Sequence, residues 1–177
     1  MTKRQWRQLF ALIAVLVSFL VTLLQPEPVV VDDGGHDADD WLVTRVADGD
    51  TFTAERQGEE LKVRILGINT PESVDPRRGV ECFGIEASDR MKTLLEGEMV
   101  SLIEDDSQGS TDKYGRALRY VENDGVDIGL QLLEAGFAYE YTYSKPYDRQ
   151  DVYKEAQRQA EMAGQGLWAA DTCNGQK

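Results

Sequence analysis

Residues 41–66 read WLVTRVADGDTFTAERQGEELKVRIL, and the turn residues in this stretch are the basis for interpreting the whole chain. Two turn sequences, DGD and QG, divide it into three short runs rich in β-branched and aromatic residues. The runs cover residues 41–46, 51–55 and 61–66. Short runs separated by turns of this kind predict a three-stranded antiparallel meander.

The third run also predicts the direction of one charged side chain. Arg64 lies between Val63 and Ile65, and successive side chains of a strand point to opposite faces of the sheet. We therefore expect Arg64 to lie on the face opposite these two apolar side chains.

The elements after the meander follow from hydrophobic periodicity and turn residues. Helical spacing predicts helices at 85–96, from Val126 to Gly136, and at 149–163, and two further strands are expected at 99–104 and 118–122. Long polar loops are expected at 67–83 and 105–115. This order is typical of an α+β protein with a five-stranded OB-fold β-barrel and about three helices. A generic α+β domain could show the same order.

The first 24 residues have the composition of a membrane-targeting segment. Lys3, Arg4 and Arg7 precede an apolar run at 9–24. As a helix this run spans roughly 24 Å, against about 30 Å of hydrocarbon core, so a signal anchor and a cleaved signal peptide are both open. No A-x-A-like cleavage pattern follows, which favours the anchor with its basic end inside. We expect an extracytoplasmic, membrane-anchored protein, with secretion after cleavage as the alternative.

Composition separates a linker from the folded part. Residues 25–40 are acidic and rich in Pro and Gly, which predicts a disordered linker, so the folded domain is expected at 41–170 with a tail at 171–177. The whole chain has 19 Lys and Arg against 32 Asp and Glu residues, a net charge of -13. This charge argues against non-specific adhesion of the whole chain to nucleic acid. An anionic ligand would need a local basic site.

The two cysteines flank the predicted helices. Cys82 precedes the first helix and Cys173 follows the last one. In an extracytoplasmic compartment an even pair is more often oxidised than free, so we expect a disulfide between them. Without histidine partners the pair makes a poor zinc site.

Three polar segments carry groups for chemistry on an anionic substrate. They are DGD at 48–50, GINTPE at 67–72 and TDKYGR at 111–116. The last segment ends in one isolated arginine, Arg116, and a second, Arg64, precedes GINTPE. Their carboxylate, amide and carbonyl oxygens suit a hard cation such as Ca2+. Phosphodiester hydrolysis needs such a cation, an acceptor that orients or deprotonates water, and guanidinium groups that neutralise phosphate charge. Taken alone, each segment could equally be a surface turn or an ion pair.

Five short motifs occur in a fixed order: DGDT at 48–51, Arg64 followed by NTPE at 69–72, GIEA at 84–87, DKYGR at 112–116 and GLW at 166–168. Their order and spacing resemble the staphylococcal nuclease, or thermonuclease-like, family. The resemblance covers residues 41–170, which is the whole predicted domain. It implies an OB-fold nuclease that uses one Ca2+ ion.

The resemblance also implies three catalytic residues. Arg64 and Arg116 match the pair of arginines that grip the scissile phosphate, and Arg116 is the one favoured for transition-state stabilisation. Glu72 matches the glutamate taken as general base or water-orienting group, and we leave open which of the two roles it has.

Four residues are the calcium ligands that the resemblance implies. Asp50 matches an aspartate ligand, Thr70 matches the threonine whose backbone carbonyl faces the metal, and Asp48 lies nearby as an outer acidic group. Asn69 stands where the best-known member of the family has a second aspartate. The site thereby loses one negative charge and keeps a carbonyl oxygen, so we expect weaker calcium binding or compensation by Asp48.

Four further residues match substrate contacts of the family. Lys113 and Tyr114 match residues near a terminal phosphate, and Tyr141 and Tyr143 fall where family tyrosines contact phosphate or stack on a base. Phosphate contacts and stacking carry little base information, so we expect no sequence specificity. DNA and RNA are the expected partners. Single strands are preferred, because a single strand fits a narrow OB face more easily than an intact duplex does.

These observations predict a monomeric, calcium-dependent endonuclease that hydrolyses DNA and RNA and leaves 3′-phosphate ends. One alternative is a non-catalytic OB-fold module that binds nucleic acid, although such a module would be expected to lack Arg64, Glu72 or Arg116. A second alternative is a membrane-anchored interaction domain whose acidic surface is the functional element.

Overall fold

The computed structural model describes residues 40–74 and 79–176. The described strands are β1 (Trp41–Val46), β2 (Thr51–Arg56), β3 (Glu59–Ile65), β4 (Ile68–Asn69), β5 (Met99–Ile103), β6 (Ala117–Asn123), β7 (Val126–Asp127) and β8 (Tyr139–Glu140). The described α-helices are α1 (Gly84–Leu95), α2 (Ile128–Glu134) and α3 (Gln150–Ala163), and a 3-10 helix follows at Gly166–Trp168.

Five of these strands close into a barrel. β1 pairs antiparallel with β2 and β5, β2 pairs antiparallel with β3, and β5 pairs antiparallel with β6. A parallel pairing of β3 with β6, in which Arg64 lies opposite Leu118, completes the circuit. The predicted α+β fold with a five-stranded OB-type barrel and three helices is therefore confirmed for the described residues.

The barrel core is built by alternation along the strands. Val63 and Ile65 are 0% and 1% exposed, and both belong to the main apolar cluster. One face of α1 adds Met91 and Leu95 to the same cluster. Each large apolar side chain buried in this way contributes about 1.5–3 kcal/mol of transfer free energy, so packing rather than local propensity stabilises these elements.

Helix α2 is shorter than the periodicity of the sequence predicts. It begins at Ile128 because the Asp127 side chain accepts a hydrogen bond from the Leu130 N–H and caps the helix. Val126 lies before the cap in β7, and Phe137 lies beyond the helix. Of the four apolar residues whose spacing predicts the helix, Leu130 and Leu133 lie inside it and the other two lie outside it.

The loop expected at 67–83 contains a strand. β4 pairs antiparallel with β8, with Asn69 opposite Tyr139. A two-residue strand has no detectable periodicity, and its partner lies far away in the chain. The pairing fixes the segment that follows Arg64 onto the part of the chain that precedes α3.

The predicted membrane segment at 1–24 lies outside the described residues, as does all of the predicted linker at 25–40 except Asp40. Within the described ranges no helix combines the length and the apolar composition that a membrane span requires. The boundaries proposed for the anchor, the linker and the tail stay predictions.

A disulfide joins Cys82 to Cys173 across a sequence separation of 91 residues. It links the segment before α1 to the end of the chain after the 3-10 helix. In the chain-entropy treatment a cross-link that closes a loop of this size stabilises the fold by about 4–5 kcal/mol. The bond also ties together two elements that no strand pairing connects among the described residues.

Asp105 departs from the polar surface loop expected at 105–115, because its side chain is buried at 5% exposure. Its carboxylate accepts hydrogen bonds from the Tyr120 hydroxyl at 2.5 Å, the Asp148 N–H at 2.9 Å and the Ser107 N–H at 2.8 Å. Burial opposes ionisation, but the hydrogen bonds outweigh it, and the pKa of Asp105 is lowered. The residue joins the loop to β6 and to the start of α3.

We predict that Asp105→Asn lowers the free energy of unfolding by about 1–3 kcal/mol at pH 7, because the amide group would face donors that now meet a carboxylate. A folded-state pKa below the unfolded value stabilises the protein above that unfolded value. The difference from wild type should therefore shrink as the pH falls below about 4. Urea denaturation measures both effects. The exposed neighbour Asp106→Asn is the control, and equal losses in the two variants would contradict the prediction.

Candidate active site

The acidic turn between β1 and β2 lies against Thr70. Asp50 Oδ2 accepts hydrogen bonds from the Thr70 N–H at 2.9 Å and from Thr70 Oγ1 at 3.2 Å. Asp48 Oδ1 accepts from the Asp50 N–H at 3.1 Å and so closes the turn on itself. A Cβ on Gly49 would lie 2.7–2.8 Å from three side-chain atoms of Thr70. Glycine is therefore required for the turn to approach Thr70 this closely.

Arg64 is buried beside this turn. Its guanidinium forms an ion pair with Asp50 at 3.0 Å, and both side chains are about one-tenth exposed. The same guanidinium donates to the Ile65 carbonyl oxygen at 2.7 Å and to Asn69 Oδ1 at 3.3 Å. A buried charge needs such partners, since desolvation alone would disfavour it strongly. The residue expected to point away from the apolar core therefore points into a polar, buried cluster.

Arg116 reaches the same cluster from the other side. Its Nε and NH2 groups bind Asp112 Oδ2 at 2.7 and 2.6 Å, and its NH1 group donates to Thr51 Oγ1 at 3.1 Å. Thr51 Oγ1 in turn donates to Asp50 Oδ1 at 3.1 Å. Burial opposes ionisation of Asp112, but hydrogen bonds from Arg116 outweigh it, so the pKa of Asp112 is lowered.

The closure of the barrel explains why these residues meet. Arg64 lies near the end of β3 and Arg116 directly precedes β6, and the two strands are parallel neighbours. The resulting chain of contacts runs from Arg64 through Asp50 and Thr51 to Arg116. Two guanidinium groups from distant parts of the sequence therefore share one polar cluster.

Glu72 follows Thr70 by two residues and is half-buried. Its Oε1 atom accepts a hydrogen bond from the Val74 N–H at 2.9 Å. Its backbone is held by Glu81, whose Oε2 accepts from the Glu72 N–H at 2.9 Å and whose own N–H donates to the Glu72 carbonyl oxygen at 2.8 Å. The structure thus holds Glu72 in a short, backbone-anchored segment that begins two residues after Thr70, the residue that the acidic turn contacts.

The four expected metal ligands offer only oxygen atoms. Asp48, Asp50, Asn69 Oδ1 and the Thr70 carbonyl come from the turn and from the segment that it contacts. Burial and the nearby Asp50 carboxylate raise the pKa of Asp48 to about 6. Among the described residues, no group of three or more His, Cys, Asp or Glu side chains is placed to share an ion. A cation here would need amide and carbonyl oxygens besides the two carboxylates, a donor set that suits Ca2+.

The four expected substrate contacts are close to one another and exposed. The Lys113 ammonium lies 5.0 Å from the Tyr114 ring centroid, and the Arg116 guanidinium lies 5.4 Å from the same centroid. The Tyr141 and Tyr143 rings are 6.4 Å apart. The Tyr114 hydroxyl, followed by the Tyr143 and Tyr141 phenols, raises the pKa of Lys113. Lys113 and Tyr114 therefore lie beside Arg116, and Tyr141 and Tyr143 form a second exposed pair whose electrostatic effect reaches Lys113.

Three residues of the site received no role from the sequence. Thr51 and Asp112 connect and orient the two arginines, and Glu81 holds the backbone of Glu72. Asp112 had a local signal, because it lies four residues before Arg116. Thr51 belongs to the DGDT motif, but its contact with Arg116 spans 65 residues, and Glu81 lies in a segment with no motif of its own.

The fold and the cluster together define an OB-fold α+β protein that carries two arginines and an acidic turn at one end of its barrel. The family model described as "Staphylococcal nuclease homologue" matches residues 62–170. The chain belongs to this family, which confirms the resemblance carried by the five motifs.

Known relatives agree with the family assignment. The chain is 34% identical over 129 residues to a thermonuclease of Staphylococcus hyicus, covering 73% of this chain and 75% of the relative. It is 34% identical over 132 residues to a thermonuclease of Staphylococcus intermedius, with coverages of 72% and 75%. It is also 34% identical over 131 residues to the SPbeta prophage-derived endonuclease YokF of Bacillus subtilis (strain 168), with coverages of 73% and 44%.

We predict that Gly49→Ala lowers the free energy of unfolding by about 1–3 kcal/mol, because the new methyl group would overlap Thr70 and force the turn away. Urea denaturation of the purified variant measures the loss. Gly109→Ala is the matched control, since the nearest atom to its added Cβ is 3.6 Å away. A Gly49→Ala variant as stable as the control would show that the turn does not depend on this close approach.

Proposed function

We propose that this protein is a calcium-dependent endonuclease that hydrolyses phosphodiester bonds of DNA and RNA and leaves 3′-phosphate ends. Membership of the staphylococcal nuclease family supports a nuclease, a phosphodiester hydrolase, and similar proteins carry the names thermonuclease and endonuclease. The observation that carries the proposal is the chain of contacts from Arg64 through Asp50 and Thr51 to Arg116.

The two arginines would bind the scissile phosphate. Each guanidinium presents several N–H donors in a planar fork, which matches the geometry of phosphate oxygens. In the structure these donors are held by Asp50 and Asp112, so both groups are already oriented before an anion arrives. Preorganised donors aimed at developing charge stabilise a transition state without the cost of reorganisation. We assign transition-state stabilisation chiefly to Arg116, which is the more exposed of the two.

Glu72 would orient or deprotonate the attacking water. A carboxylate can accept a proton or a hydrogen bond from water, and the Val74 N–H already restrains one of its oxygens. The backbone contacts with Glu81 fix the position of the Glu72 backbone, from which the Glu72 side chain extends. The 3′-phosphate product follows from departure of the 5′ oxygen after in-line attack on phosphorus.

The oxygen donors of the acidic turn fit a hard cation. Asp50, Asn69 and the Thr70 carbonyl would hold it, with Asp48 as an outer acidic group. The raised pKa of Asp48 supports this role, because burial and then the nearby Asp50 carboxylate disfavour a negative charge that a bound cation would stabilise. When bound, Ca2+ would polarise the phosphate. Asn69 supplies a neutral oxygen, so the site carries less negative charge than a site of three aspartates.

The exposed surface beside Arg116 would hold the rest of the substrate. Lys113 supplies a positive charge next to Arg116, and Tyr114, Tyr141 and Tyr143 offer ring faces on which bases can stack. Unpaired bases expose such faces, which favours single-stranded DNA and RNA over an intact duplex. Stacking and phosphate contacts predict no sequence specificity. All of these groups belong to one chain, so a monomer would suffice for activity.

We also propose that the protein works outside the cytoplasm, tethered to the membrane by residues 1–24. The Cys82–Cys173 disulfide supports export, because disulfides persist in oxidising compartments.

Arg116→Ala tests the proposed function directly. We predict that full-length wild type cleaves single-stranded DNA in the presence of Ca2+, and that the variant loses at least about 100-fold in kcat because the phosphate charge loses its stabilising donor. Gel analysis with end-group determination measures the rate and the 3′-phosphate product.

Arg158→Ala is the control for this experiment, since Arg158 forms an exposed ion pair on α3. It should cleave at the wild-type rate. A wild-type protein that binds DNA but does not cleave it with Ca2+ or Mg2+ would refute the enzyme and favour the non-catalytic binding module.

The pKa of Asp48 predicts how calcium binding depends on pH. Calcium binding requires deprotonated carboxylates, and a pKa of about 6 means that Asp48 loses its proton mainly between pH 5 and 7. Affinity measured by calorimetry should therefore rise by about tenfold over this range, as expected for one displaced proton. Asp48→Asn removes the titrating group and should flatten the profile. An unchanged profile in this variant would exclude Asp48 from the site.

A further inference from the structure

One short segment engages both polar groups of the Glu72 backbone. Glu81 accepts from the Glu72 N–H at 2.9 Å through Oε2 and donates to the Glu72 carbonyl oxygen at 2.8 Å through its own N–H. Gly84 lies so close that an added Cβ would be 2.4 Å from the same carbonyl oxygen. The segment 81–84 therefore sets the position from which the Glu72 side chain extends.

The segment 81–84 is held in a disfavoured conformation. Phe83 has a φ of 65°, in the left-handed region that non-glycine residues rarely adopt. Its ring packs on Phe137 with centroids 5.2 Å apart. Such a backbone geometry persists only where the surroundings impose it.

The Cys82–Cys173 disulfide attaches this segment to an ordered part of the chain. Cys173 is buried, and the backbone around it is anchored on the 3-10 helix, with the Asn174 N–H bonded to the Ala169 carbonyl at 3.0 Å and the Gly175 N–H bonded to the Leu167 carbonyl at 2.9 Å. Cys82 directly follows Glu81. The bond thereby restrains the residue that holds Glu72.

Reductants can reach the disulfide from one side. Cys82 is exposed whereas Cys173 is buried. Exposed disulfides are the labile ones in proteins. A dithiol reductant would transfer two electrons and two protons, break the S–S bond into two thiols, and itself become a disulfide.

We propose that Glu81 is a positioning residue for Glu72 and that the Cys82–Cys173 disulfide keeps Glu81 in place, so that reduction by a dithiol lowers turnover while the barrel stays folded. The inference rests on the function proposed for Glu72. Glu81 acts through the Glu72 backbone, whereas substrate phosphate is bound by Arg64, Arg116 and Lys113. Loss of the Glu81 side chain therefore lowers kcat and leaves KM unchanged.

Substitutions at Glu81 test the positioning role in the full-length chain. Glu81→Ala removes the acceptor for the Glu72 N–H, and kcat on single-stranded DNA falls by about 10- to 100-fold with KM unchanged, the scale expected for a displaced catalytic group. Glu81→Gln keeps an acceptor oxygen and restores most of kcat. Glu86→Ala, at an exposed acidic residue of α1, is the matched control and behaves as wild type. A Glu81→Ala variant with wild-type kcat, or one whose defect is confined to KM, overturns the proposal.

Reduction tests the disulfide. Wild type treated with dithiothreitol loses kcat as Glu81→Ala does and regains it on reoxidation, while far-UV circular dichroism stays unchanged. The double variant Cys82→Ser, Cys173→Ser has the low kcat in either condition and does not respond to dithiothreitol. Full activity of reduced wild type, or loss of its secondary structure, overturns this part of the proposal.

Hydrogen exchange at the Glu72 amide separates this inference from the enzymatic function. Exchange is slow in oxidised wild type and in Glu86→Ala, and faster in Glu81→Ala and in reduced wild type, because the bond from the Glu72 N–H to Glu81 is lost. If wild type cleaves no substrate but shows this pattern, the proposed function fails and the positioning stands. If wild type cleaves DNA and exchange is the same in all four samples, the positioning fails and the function stands.

Discussion

The carboxylate of Asp50 is the group on which the rest of the site depends. It accepts hydrogen bonds from Thr51 and Thr70 and pairs with the Arg64 guanidinium, so it connects β2, β3 and the segment after β4. Without it Arg64 would be a buried, unpaired charge, a situation that costs about 3–5 kcal/mol in proteins. Burial, and after it this nearby carboxylate, raises the pKa of the neighbouring Asp48. The Asp50 side chain thus both connects elements of the fold and orients groups of the candidate site for cations and phosphates.

Two other acids, the buried Asp105 and the partly buried Asp127, connect further elements of the domain. Asp105 binds the Tyr120 hydroxyl and the Asp148 N–H, and Asp127 caps α2 while it accepts from the Tyr153 hydroxyl and pairs with Arg149. The excess of acidic residues, which gives a net charge of -13, is therefore partly structural. Lys113, Arg116 and Arg64 supply the positive groups of the candidate site, and local groups of this kind can bind an anion although the chain as a whole is acidic.

Local patterns predicted most of the elements correctly. The turns at 48–50 and 57–58 defined β1, β2 and β3, because alternation and turn residues act within a few positions of each other. The helical spacing of Met91 and Leu95 located α1 for the same reason. The prediction located α2 but began it at Val126, two residues too early, because the cap at Asp127 outweighs the spacing of the apolar residues. It also missed β4, whose partner strand begins at Tyr139.

The sequence by itself determined the order of the five barrel strands and the three α-helices, the five motifs of the family and the residue types available for chemistry, because these are properties of neighbouring positions. Only the tertiary structure decided that β3 and β6 are parallel neighbours, that Thr51 connects the two arginines, and that Glu81 holds the backbone of Glu72. Each of these contacts joins residues separated along the chain by a turn, a loop or several elements. Their free energy is gained only when the barrel closes, so no local pattern encodes them.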